Sequence, residues 1–118
     1  MVAMVRARTI ASSNEIGDAL RQGQRRSSSV VTVHIFATPE QRGRDGRVAY
    51  IAAKRLGGAV WRNRSRRVLR EAFRQAGGPI PGVDMLLVAT RSTAETHPAE
   101  VAQAIVEILR RLGARRVQ

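Results

Sequence analysis

One stretch of this chain concentrates side chains that bind anions: Lys54–Arg74, reading KRLGGAVWRNRSRRVLREAFR. Its basic residues are Lys54, Arg55, Arg62, Arg64, Arg66, Arg67, Arg70 and Arg74, and Glu71 is its only acid. Arg62, Arg66, Arg70 and Arg74 recur every four residues, which predicts one helical face, flanked by Arg64 and Arg67. Val60, Val68, Leu69, Ala72 and Phe73 fill much of the rest and are expected to face a sheet. A solvated surface helix usually mixes charge signs; this one does not. A row of like charges repels itself in the free protein, and a phosphate backbone offsets that repulsion. The expected chemistry is therefore phosphate binding.

Neighbouring residues leave alternatives open. Asn63 either reads a base edge or sugar hydroxyl, or bonds the helix's own first turn. Trp61 either stacks a base or packs beside the helix start. Gly57-Gly58 allows a close backbone approach or a tight turn. It is not a phosphate-cradling P-loop, because the Gly-Lys-Ser/Thr ending is missing.

Nothing in the sequence assembles a catalytic set. The two histidines, His34 and His97, lie on different elements without metal-ligand spacing, and the nine carboxylates are scattered. No glycine-framed nucleophile occurs. A protein nuclease needs a metal cluster or an acid/base pair. Cysteine is absent, which excludes disulfides, thiolate zinc sites and thiol nucleophiles.

The elements that must position this segment follow from patterning. Residues 1–11 read as a basic arm. Ser12 with Glu15 forms a capping box for a helix to about Gln22, with Ile16, Ala19 and Leu20 on its apolar face. Gln24–Ser29 reads as a polar, basic connection. Val30–Ala37 alternates as a strand and Arg47–Ala53 as a second, expected to be central; the two are expected to pair as an antiparallel hairpin. The basic helix runs from Ala59 or Val60 to about Ala76 and ends at Gly77-Gly78-Pro79. Val83–Thr90 is a third strand, parallel to the second. A last amphipathic helix starts between Thr96 and Pro98, with His97 at its start, and closes at Gly113; residues 114–118 form a basic tail. The expected architecture is a two-layer α/β sandwich over residues 12–113, helices on a mixed sheet, in the order αββαβα.

Charge dominates the composition. The 118 residues carry 21 Lys+Arg, of which Lys54 alone is lysine, against nine acids, a formal net charge of +12. Such a field concentrates polyanions. No apolar run is long enough to span a membrane and the N-terminus lacks a secretory h-region, so a cytoplasmic protein is expected.

The run from Lys54 through Arg62-Asn63-Arg64-Ser65-Arg66-Arg67 to Arg70-Glu71 resembles the signature of the bacterial ribonuclease P protein subunit. The order of the other elements matches over most of the chain. The resemblance implies a left-handed βαβ crossover, against the usual handedness. It implies a protein that joins a large catalytic RNA, which with Mg²⁺ removes the 5′ leader from precursor tRNA, so that the protein does none of the chemistry. RNA binding would fall to Lys54, Arg55, Arg62, Asn63, Arg64, Arg66, Arg67, Arg70 and Arg74. The leader would lie in a cleft lined by Ile16, Leu20, Val33 and His34. Gly58 and Ala53 depart from the asparagine and serine common in the family.

Two other classes compete. A general RNA-binding protein, ribosomal or chaperone, has the same composition but not the ordered Arg-Asn-Arg signature. A basic-helix DNA binder would continue into a leucine heptad, whereas Gly77–Gly82 breaks this helix at once.

Overall fold

The computed structural model describes residues 24–37 and 46–112. The capping-box helix with Ile16 and Leu20, the basic arm and the tail lie outside the described residues. The described chain forms β1 (Gln24–Ser27), β2 (Val31–Ala37) and β3 (Val48–Ile51). A 3-10 turn (Lys54–Leu56) and helix α1 (Ala59–Gln75) follow, then β4 (Val83–Ala89) and helix α2 (Pro98–Leu112).

The four strands form one sheet in the order β1-β2-β4-β3. β4 is antiparallel to β2, with Val31 opposite Ala89 and Ile35 opposite Met85. It is parallel to β3, with Val48 opposite Met85. The parallel β3–α1–β4 unit is as expected from the sequence. The β2–β3 hairpin is not: β4 inserts between them. β3, expected in the centre, is an edge strand among the described residues. Its apolar run reflects burial on both faces rather than a neighbour on both sides: Val48 joins the core under the helices, and Ala49 packs with Leu86 on the opposite face. β4 is an interior strand, between β2 and β3, and six of its seven residues are buried. A further correction concerns Gln24–Ser27, which is a strand, not a connection. All four of its residues are exposed, so no apolar alternation marked it.

Both described helices lie on one face of the sheet. α2 buries Val101, Ile105, Ile108 and Leu109, a stripe at helical spacing, and α1 buries Leu69, Ala72 and Phe73. They close over Val31, Val33, Ile35, Met85 and Leu87. Each fully buried aliphatic side chain contributes about 1.5–3 kcal/mol. Pro98 opens α2 at its first position, where a missing N–H costs nothing. His97 Nδ1 accepts the Ala99 N–H at 3.1 Å, so His97 caps the helix as its position predicted.

Polar groups lock the sheet ends. The Thr93 hydroxyl donates to the Val30 carbonyl at 2.7 Å and accepts the Thr90 N–H at 2.8 Å. Asp84 is fully buried on β4; its Oδ1 accepts the Arg47 N–H at 2.9 Å and its Oδ2 lies 3.6 Å from the Arg47 guanidinium. The Arg47 carbonyl in turn accepts the Met85 N–H. This clamp sets where β3 meets β4. Gly46, just before it, lies so close to the next turn that a Cβ would stand 2.1 Å from the Ile80 carbonyl oxygen.

Candidate nucleic-acid interface

The basic segment starts on a turn and continues on α1. Trp61 folds back over Gly57, where a Cβ would meet its indole at 2.8 Å. That settles two alternatives: Trp61 packs, and Gly57 is the close approach that lets it. Gly58, by contrast, caps α1 with open space around it.

The four-residue repeat does not keep one face. At about 100° per residue, each step of four overshoots a full turn by about 40°. Arg62 therefore lies next to the core and Arg74 far from it. Arg62 is half-buried and donates to the Gly57 carbonyl at 3.1 Å. Arg66, also half-buried, donates to Asn63 Oδ1 at 2.9 Å, so the Asn63 amide bonds a side chain of its own helix. Arg70 lies over the Tyr50 ring of β3, 5.3 Å from its centroid, and Tyr50 meets Phe73 edge-on. Arg74 pairs with Glu71. Each member of the repeat thus has a partner within the protein.

The flanking residues differ. Lys54, Arg55, Arg64 and Arg67 are exposed and have no hydrogen-bond or ion-pair partner among the described residues. These four, not the repeat, are the uncommitted cations of the segment. Sequence reasoning also passed over Arg25 and Arg26, exposed on β1, and placed Val60 against the sheet, whereas it is 76% exposed. Helical spacing held the signal for Val60: it shares the outer face of Asn63 and Arg67, three and seven residues on.

Glu71 tempers the face. Hydrogen bonds from Arg74 and Gln75 draw its carboxyl down to about 2, so mild acid does not release Arg74. Substitution does. Glu71→Gln is expected to tighten RNA binding by about two- to five-fold and steepen its salt dependence, read in a salt titration.

Of the residues mapped to a leader cleft, Ile16 and Leu20 lie outside the described residues. Val33 and His34 cannot share a cleft, because successive strand residues face opposite ways. Val33 is fully buried under the helices and is withdrawn from that set. His34 faces the other side of the sheet, is itself buried, and lies opposite Arg25 of β1. Burial, and then the Arg25 charge, hold its pKa below the ordinary value. Folded His34 is therefore neutral, and the unfolded chain takes up the proton first as pH falls. Its contribution to stability is full above about 6.5 and declines below it. The thermal midpoint is expected to drop between about pH 7.5 and 5.5, and to drop less in His34→Phe.

Among the described residues, no three His, Cys, Asp or Glu side chains come together to hold a metal ion, and no helix is long and apolar enough to cross a membrane. Fold and surface together define an α+β domain built to bind a polyanion. The chain belongs to the ribonuclease P family, the protein components of the holoenzyme that processes tRNA, whose family model matches residues 4–113. It is 31% identical over 98 residues to the ribonuclease P protein component of Nocardioides sp., covering 82% of this chain and 84% of the relative. It is 30% identical over 105 residues to that of Geobacillus kaustophilus, covering 88% and 85%. The RNase P protein structure from Staphylococcus aureus superposes with a TM-score of 0.73 at 18% identity, covering 90% of this chain and 95% of that one. The Thermotoga maritima structure gives 0.71 at 18% identity, covering 87% and 96%.

Proposed function

We propose that this chain binds the catalytic RNA of ribonuclease P through the turn and outer face of α1. We propose further that it holds the 5′ leader of precursor tRNA on the sheet face that carries His34. The observation that carries the first part is the cluster of uncommitted cations, Lys54, Arg55, Arg64 and Arg67, on a segment with one acid. The leader assignment is supported by Arg25, an exposed cation opposite His34 on that face. Cleavage falls to the RNA, in the cytoplasm. Magnesium is assigned to the RNA; the one acid of the basic segment, Glu71, is held by Arg74.

The deciding experiment is cleavage of a precursor tRNA at low Mg²⁺ by the cognate catalytic RNA, with and without the protein. Stimulation, with no cleavage by protein alone, is the expected result. RNA binding should also weaken with salt at a log–log slope of roughly −4 to −5 if about six phosphates are engaged. Tight salt-sensitive binding without stimulation would favour a general RNA-binding role instead.

A further inference from the structure

Val60 is the large apolar side chain that the described fold leaves in solvent, 76% exposed in the first turn of α1. Folding gives no account of it. A β-branched residue loses rotamer freedom in a helix, and here it gains no packing in return. Its surroundings are cationic and open. Asn63 and Arg64 lie one turn on and Arg67 two turns on, all three exposed. The first turn of the helix carries no acid. Gly58 beside it has nothing within 4 Å of where a Cβ would stand.

We propose that Val60 is an apolar contact inside the RNA-binding face. Its methyls pack on the sugar or base surface of the strand whose phosphates Arg64 and Arg67 hold. Charge complementarity selects the occupant, since this patch of the described surface offers cations and no free acid to a partner. RNA supplies both halves of the match: phosphates for the arginines and, between them, the C–H surface of ribose and the faces of bases. Phosphate contacts alone leave register loose, and a knob between them fixes it. The inference rests on the RNA-binding role proposed above and adds a contact that is not ionic.

That difference makes it testable. The affinity of the full chain for the cognate catalytic RNA is measured across a salt series for the native protein, Val60→Ala and Arg67→Ala, with thermal unfolding of each. Val60→Ala is expected to bind about 4- to 15-fold more weakly at every salt concentration, with the slope unchanged. Arg67→Ala is expected to flatten the slope by about 1. The thermal midpoint of Val60→Ala should hold or rise, alanine being the better helix former. Val60→Ile should bind at least as well as the native chain. Native affinity in Val60→Ala would overturn the proposal. So would loss of its thermal transition, which would make Val60 structural. A native chain that shows no salt-dependent binding would instead refute the RNA-binding role itself, before any variant is compared.

Discussion

Replacing Arg64 and Arg67 together by alanine is expected to weaken binding of the catalytic RNA by about 10- to 100-fold near 0.1 M salt and to flatten the salt slope by about 1.5 to 2. The reasoning is geometric. Both side chains point away from the core, and neither has a hydrogen-bond or ion-pair partner among the described residues. Removing them therefore costs the fold nothing and costs the RNA two phosphate contacts. The thermal midpoint should stay within about 4 °C, since exposed substitutions away from special features shift stability by at most about 0.5 kcal/mol each. The contrast is with Arg62 and Arg70. The first is tied to the Gly57 carbonyl and the second to the Tyr50 ring, so alanine there should lower the midpoint as well as the affinity. A double variant that unfolds early would show that Arg64 and Arg67 support the helix. One that keeps the full salt slope would place the RNA elsewhere.

The largest effect on the fold is expected from Asp84→Ala, at about 3–5 kcal/mol. The carboxylate is fully buried and receives the Arg47 N–H, and the Arg47 guanidinium beside it is itself mostly buried, at 14% exposure. Alanine withdraws the acceptor and the countercharge at once, leaving a cation where water cannot reach it easily. For a domain of this size the midpoint should fall by roughly 12–20 °C. Asp84→Asn keeps an acceptor for the N–H but not the charge, and should lie between the two. Chemical denaturation of the three proteins checks the order. Equal stability of Asp84→Ala and the native chain would remove the clamp from the account of how β3 finds its register.

Some of this was legible in the residues and some was not. The bounds of α1 and α2 were, because glycine and proline punctuate them and their apolar positions recur at helical spacing. So was the parallel β3–α1–β4 unit. The strand order was not. Val30–Ala37 and Arg47–Ala53 are neighbours along the chain, and local pattern cannot reveal that a third strand comes from far downstream to part them. β1 was hidden because an exposed edge strand needs no apolar alternation. In the site, the residue types were legible and their directions were not. A spacing of four resembles one face over a single step and drifts off it over three, which is why Arg62 and Arg74 ended with different neighbours. Val60 is apolar and so reads as inward, although its angular position matches Asn63 and Arg67. Val33 and His34, set together in the cleft that the resemblance implies, fall on opposite faces by the two-residue period of their own strand.

The insertion of β4 between β2 and β3 also governs the order in which the molecule can come together. β4 joins β2 to β3 in the described sheet, yet it is made after α1, and its partner Val31 lies about half the chain upstream of Ala89. Contacts this distant in sequence close late and slowly. Until they close, β2 and β3 have no strand to join them, and Tyr50 and Arg70 have no fixed geometry. A chain cut short before residue 83 would carry every cation of the signature and hold none of them in place. The proposed RNA-binding surface is thus a product of the last strand rather than of the helix that displays it. Hydrogen exchange should report this as slow, concerted opening of the β4 amides, with the exposed β1 edge exchanging first.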